Sequence, residues 1–218
     1  MKLLKIVEGN FEELNKLNTN FKKETQRIRA TIDTVHDKHF YLHKFPDLLF
    51  ETLQLFPNIR HHHCHQGEQG YSGRDFDISH LGAPIQIVGD VIDTVHLVEH
   101  IAIEIQCQVG ELDECSGLTC NYWEPENRFD VFIECRNPAI ASFSCNFAVL
   151  LAKEILKGNG HDWCVDDILD IAKIIEKTNE FSLHTLARIL NWSKKKTLKN
   201  MQLLEQLSYP LPWLRSAA

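Results

Sequence analysis

The sequence lacks any apolar run long enough to span a bilayer. Its longest strongly apolar stretch, Val95 to Ile105, is interrupted by His96, Glu99, His100 and Glu104 and falls well short of the roughly 20 residues a membrane helix requires. The opening MKLLKIVEGN has neither the apolar stretch nor the small-residue cleavage site of a secretory signal, so the expectation is a cytoplasmic protein with no membrane partner. Glycine and proline are sparse, 10 and 7 in 218 residues, which excludes fibrous and low-complexity classes. Paired CxxC spacing is missing: the seven cysteines stand at 64, 107, 115, 120, 135, 145 and 164. An odd count without such pairs, in a chain without an export signal, reads as mostly reduced thiols. Positive charge is also short. The formal charge of -7 argues against whole-surface attraction to nucleic acid but leaves room for a local basic patch.

What is present is an ordinary globular composition, 44% hydrophobic and 24% charged, enough for one compact domain or a domain of about 150 residues with a small appendage. Histidine is abundant, at 12, and four of these fall in the run His61, His62, His63, Cys64, His65. Along the chain, Leu3 to Val7 reads as a strand and Phe11 to Arg29 has helical composition. Pro46 suits the first turn of a helix over Asp47 to Phe56, and His61 to Gly89 is loop-like. Asp90 to Gln108 reads as a helix capped by Asp90 and closed by Gly110, followed by a Cys- and Gly-containing loop. Phe129 to Cys135 alternates as a strand, and Ala139 to Lys157 is a helix ending at Gly158, Asn159, Gly160. That triplet marks a boundary. The reading is an α+β domain over 1–157, a small mixed sheet packed with helices, then a small helical domain over 161–209 built from Val165 to Lys177, Ser182 to Leu190 and Lys194 to Leu207.

Within the helix from Asp90, the residues His96, Leu97, Val98, Glu99, His100 spell HxxEH, the inverted zinc-hydrolase motif. One helical turn separates the two histidines, so both imidazoles can reach one ion, while Glu99 is offset toward a water held there. The surrounding positions are apolar nearly all the way round, which predicts a buried helix. Two His and two Glu buried together cost several kcal/mol unless satisfied. A divalent metal would satisfy them; a hydrogen-bonded seam between helices is the plainer alternative. A zinc hydrolase needs a third protein ligand, and Cys64, its neighbouring histidines and Glu104 are the candidates, Glu104 also being placed to orient a ligating His. In a catalytic site the metal lowers the pKa of its water toward 7, Glu99 takes the proton, the hydroxide attacks an amide carbonyl and Glu99 protonates the leaving amine. Arg74, in GYSGRD, could hold a substrate carboxylate; a surface salt bridge with Asp75 or Asp77 is the competing reading.

Several segments resemble the N-terminal domain of cyanophycin synthetase: MKLLKI; FPDLLFETLQLFPNIRHHHCHQG; GDVIDTVHLVEHIAIEIQ; and FDVFIEC followed by a helix. The resemblance covers roughly residues 1–157. It implies a metallopeptidase-like Zn2+ site with His96, His100 and Cys64 as ligands and Glu99 as the catalytic carboxylate, acting on a peptide or polypeptide substrate such as an Asp/Arg polymer. No ligase region follows here, and EGNFEELNKLNTNFKKE replaces the family's Arg-rich segment, so polymer synthesis is not implied. The three remaining histidines of the run beside Cys64 are read as rim residues rather than ligands.

Ser182 to Leu207 resembles a helix-turn-helix, with Ser193 able to cap its second helix and Lys194, Lys195, Lys196 and Lys199 available to phosphates. No Arg, Asn or Gln opens that helix for base reading, so a helical bundle used for packing or homodimerisation ranks above DNA binding. The expected function is a zinc-dependent peptidase or amide hydrolase. The competing classes are a non-catalytic peptide- or polymer-binding module and a ligand-sensing DNA-binding regulator.

Overall fold

The structure, a computed structural model, describes residues 1–62, 91–158 and 162–211. Four strands, β1 (Lys2–Gly9), β2 (Arg27–Asp33), β3 (Gly117–Asn121) and β4 (Arg128–Glu134), form one sheet in the order β1-β2-β4-β3. Every pairing is antiparallel, so the α+β class holds while the expected mixed sheet is an antiparallel one. Direct chain reversals join β1 to β2 and β3 to β4, and a reversal of this kind can only make antiparallel neighbours. The alternation of side chains puts Ile28, Ala30 and Ile32 of β2 with Phe129, Val131 and Ile133 of β4 on one face, all buried.

Helices α1 (Lys38–Leu55), α2 (Val91–Gly110) and α3 (Pro138–Lys157) share that core with the sheet, and α4 (Val165–Thr178), α5 (Leu183–Ile189) and α6 (Lys194–Gln206) follow. Asn137 caps α3 by accepting from the Ala139 amide, Pro138 fills its first turn, and Gly158 ends it at φ 68, the left-handed conformation that glycine adopts without a Cβ clash. By length and apolarity α3 could cross a membrane. Here it is the inner helix of the core, with Phe143, Phe147 and Leu151 fully buried.

Three local expectations are corrected. The segment Phe11 to Arg29 is not helical: a short 3-10 turn at Glu12–Lys16 precedes β2. Buried Arg27 accounts for this, because its guanidinium donates to the Asn10, Phe11 and Lys22 carbonyls and to Asn15 Oδ1, tying the connection into an irregular loop. Helix α1 starts nine residues before Asp47, capped by Asp37 through the Phe40 amide at 2.9 Å. Pro46 therefore lies inside it, where it removes one rung of the backbone ladder, and burial of Tyr41, Phe45, Leu48 and Leu49 on one side sustains the helix across that gap. Strand β3 occupies part of the expected loop after α2. Its sequence, GLTCN, has weak strand propensity, and its conformation follows from pairing with β4.

The core continues past Gly158. Tyr209 packs edge-to-face on Phe143 with ring centroids 5.0 Å apart and donates its hydroxyl to the Ala172 carbonyl at 3.0 Å, and Trp163 packs on Phe147 at 5.4 Å.

Candidate functional site

Helix α2 runs through the middle of the molecule, against α1, α3, α4, β3 and β4. Apolar residues on nearly every side bury it, and they carry Asp93, Thr94, Glu99, His100, Glu104 and Gln106 inside with them. Each buried polar group then needs a partner. His96 and His100, one turn apart, bring their Nε2 atoms to 3.1 Å. His100 Nδ1 meets Nδ1 of His62 at 2.9 Å, and His62 Nε2 lies 3.3 Å from Glu104 Oε2. Glu104 Oε1 accepts from Asn58 Nδ2 at 3.0 Å and Gln108 Nε2 at 2.8 Å, and Gln108 Oε1 in turn accepts from Lys173 Nζ on α4 at 3.0 Å. The result is an unbroken row from α4 through Glu104 and two imidazoles to His96.

Glu99 points to a different neighbour, the sheet. Its Oε2 accepts from the Thr119 hydroxyl on β3, and Gly117 lies so close that a Cβ there would sit 2.6 Å from Glu99 Oε1. Burial dominates the electrostatics. It raises the Glu99 carboxyl to about 8 against the opposing Thr119 hydrogen bond, and lowers His96 to about 4. His100 is held well below its ordinary value by burial first and then by the neighbouring His96 and His62 rings. Burial also opposes ionisation of Glu104, but hydrogen bonds from His62, Gln108 and Asn58 outweigh it and keep that carboxyl below its usual range. At neutral pH the pair His96 and His100 is thus uncharged, the state a metal ligand requires.

Two zinc-bound nitrogens at about 2.0–2.1 Å in tetrahedral geometry stand about 3.3–3.4 Å apart, so the His96 and His100 Nε2 atoms fit as two ligands of one ion. Cys64 and Arg74 lie outside the described residues. Among the described residues no group of three or more His, Cys, Asp or Glu is arranged to hold a metal, and Glu104 is separated from the His96 nitrogen by the two intervening rings. His62, read from the sequence as a rim residue, is instead half-buried and central to the row. Its signal was present: Pro57 opens the 3-10 turn Pro57–His61 directly after α1, which is packed against α2, and that turn delivers residue 62 beside the HxxEH helix.

Of the four lysines considered for phosphate contact, Lys196 pairs with Asp167 at 2.8 Å and lies over the Trp192 ring at 4.2 Å, and Lys199 pairs with Asp162 at 2.8 Å. Lys194 and Lys195 are exposed in the first turn of α6, which Ser193 caps through the Lys196 amide. No protein-family model matches the chain, and neither does any curated protein.

Proposed function

We propose that this protein is a zinc-dependent hydrolase of peptide or isopeptide bonds, working in the cytoplasm. The observation that carries the reading is the pair of imidazole nitrogens 3.1 Å apart on a buried helix, kept neutral by burial, with Glu99 in the adjacent position. His96 and His100 would hold the ion with Cys64, and the zinc would supply Lewis acidity and lower the pKa of water. Glu99 holds the proton in this scheme: its carboxylate takes one from the attacking water and returns it to the leaving amine. Thr119 supports the ionised form by donating to Oε2, and a nearby dication would favour it further. The substrate class rests on the HxxEH motif and on the resemblance to the cyanophycin synthetase N-terminal domain. The cysteines at 107, 115, 120, 135, 145 and 164 are free thiols, in keeping with a reducing compartment.

Elemental analysis of protein prepared without chelator, followed by assay of Glu99→Gln, tests this. One zinc per chain, retained in Glu99→Gln with turnover of a peptide library or an arginine-containing acidic polymer lost, is the expected result. Metal content well below one per chain after reconstitution would overturn it. A zinc-loaded protein that cleaves nothing would leave the second reading, a non-catalytic binding module. That reading is favoured by one observation, that the row from Glu104 to His96 closes on itself as a hydrogen-bonded seam without a metal.

A further inference from the structure

The row of hydrogen bonds leading to His100 has a direction. Glu104 is acceptor-only when ionised, and its Oε1 is already served by two amide donors, Asn58 and Gln108. Its Oε2 therefore calls for a proton from His62 Nε2, 3.3 Å away. A neutral His62 carrying its proton on Nε2 has only a lone pair on Nδ1. That lone pair faces His100 Nδ1 at 2.9 Å, and the contact is a hydrogen bond only if His100 carries its own proton on Nδ1. Its Nε2 then carries a lone pair, turned toward His96 Nε2 at 3.1 Å. Each step is forced by the one before, because a neutral imidazole offers one donor and one acceptor.

We propose that His62 and Glu104 are positioning residues that lock His100 in the Nδ1-protonated tautomer and so prepare its Nε2 as a metal ligand. This inference rests on the zinc reading above for its purpose, but not for the tautomer itself, which the hydrogen bonds dictate in the metal-free protein. A carboxylate that orients a ligating histidine usually touches it directly; here a second imidazole stands between them. The carboxylate is on α2, one turn beyond His100, while the relaying ring is supplied by the turn after α1. The docking of α1 against α2 thereby sets the ligand's protonation state, and Lys173 and Gln108 extend the support to α4.

Two measurements on the full chain separate this from the zinc reading. Long-range proton–nitrogen NMR of the metal-free protein, with histidine nitrogens labelled, reports the tautomer of each ring. His100 protonated on Nδ1 and His62 protonated on Nε2 are expected. His62→Phe removes the acceptor and should move the His100 proton to Nε2, whereas His62→Gln, which keeps an oxygen acceptor at the same reach, should restore the wild-type state. Competition against a chromophoric zinc chelator should then show a loss of about 10- to 100-fold in affinity for His62→Phe, a smaller loss for Glu104→Gln, and recovery toward wild type in His62→Gln. Should His100 be protonated on Nε2 in the wild type, or should His62→Phe leave both tautomer and affinity unchanged, the relay is wrong even though zinc binds. If the tautomers are as stated and respond as stated but the wild type takes up no zinc, the relay stands and the hydrolase reading fails.

Discussion

Gly117 is where the backbone of β3 comes nearest to Glu99. An added methyl group would sit 2.6 Å from Glu99 Oε1 and 2.9 Å from Ile103 Cδ1, and both neighbours belong to a packed helix with little room to retreat. Gly117→Ala is expected to destabilise the protein by about 1–3 kcal/mol, measured by denaturant unfolding, and to displace Glu99 from Thr119. The protonation of the site residues also sets a pH profile for the metal-free protein. Between pH 4.5 and 6.5 the unfolded chain binds protons on His96 and His100 that the folded chain refuses, so these two rings make stability rise with pH. Glu99 acts in the opposite sense. Unfolded it loses its proton near 4.5, folded not until about 8, so its contribution declines across that whole interval. Two histidines against one glutamate leave a net rise up to about pH 6.5 and a fall from there to about 8. Urea titrations at half-unit pH steps should show this maximum. In Glu99→Gln the fall on the alkaline side should vanish, and persistence of the same fall would mean that another group is responsible.

At the level of elements, α6 offers the sharpest test of the DNA-binding alternative. Lys196 and Lys199 are engaged by Asp167 and Asp162, which leaves Lys194 and Lys195 as the exposed cations of the first turn. A helix whose lysines already hold carboxylate partners must give those up to bind phosphate. Full-length protein is therefore expected to show no salt-dependent association with duplex DNA, measured by fluorescence anisotropy from 50 mM salt upward. A log-log salt slope of about -0.9 per phosphate that flattens when Lys194, Lys195 and Lys196 are replaced together would instead establish phosphate contacts. Most elements were legible in the sequence where a period and its stop signal agreed. The α3 helix has an apolar face, Pro at its start and Gly at its end; α4, α5 and α6 each carry an apolar stripe, with a serine cap on the last two. Strands β2 and β3 lacked such agreement. The first was masked by polar flanking residues whose fate depends on the buried Arg27, and the second is a five-residue edge strand held by its neighbour β4.

Across the whole molecule, one hydrophobic cluster runs from the sheet through α1, α2 and α3 to Ile168, Leu186, Met201 and Tyr209. A continuous core couples the helices after Gly158 to the fold before it. Calorimetry is accordingly expected to give a single unfolding transition. Tyr209→Ala, which removes both the ring against Phe143 and the hydrogen bond to Ala172, should lower stability by about 3–5 kcal/mol and shift the whole transition. Two resolved transitions, only one of them sensitive to Tyr209, would show that the C-terminal helices form a separate cooperative unit.

The sequence by itself determined the α+β class, the burial of α2, and the pairing of His96 with His100, since each of these follows from a local period: two residues per strand repeat, and close to four per helical turn. It also marked Glu99 and Glu104 as groups that needed partners. Only the tertiary structure decided who those partners are. Glu99 is answered by Thr119 and Gly117 from an edge strand 18 residues downstream at its nearest, and Glu104 by Asn58, His62 and Gln108. Which way the His100 ring is protonated was decided there too, because a tautomer is set by the acceptor across the gap, and that acceptor comes from a turn 38 positions earlier in the chain.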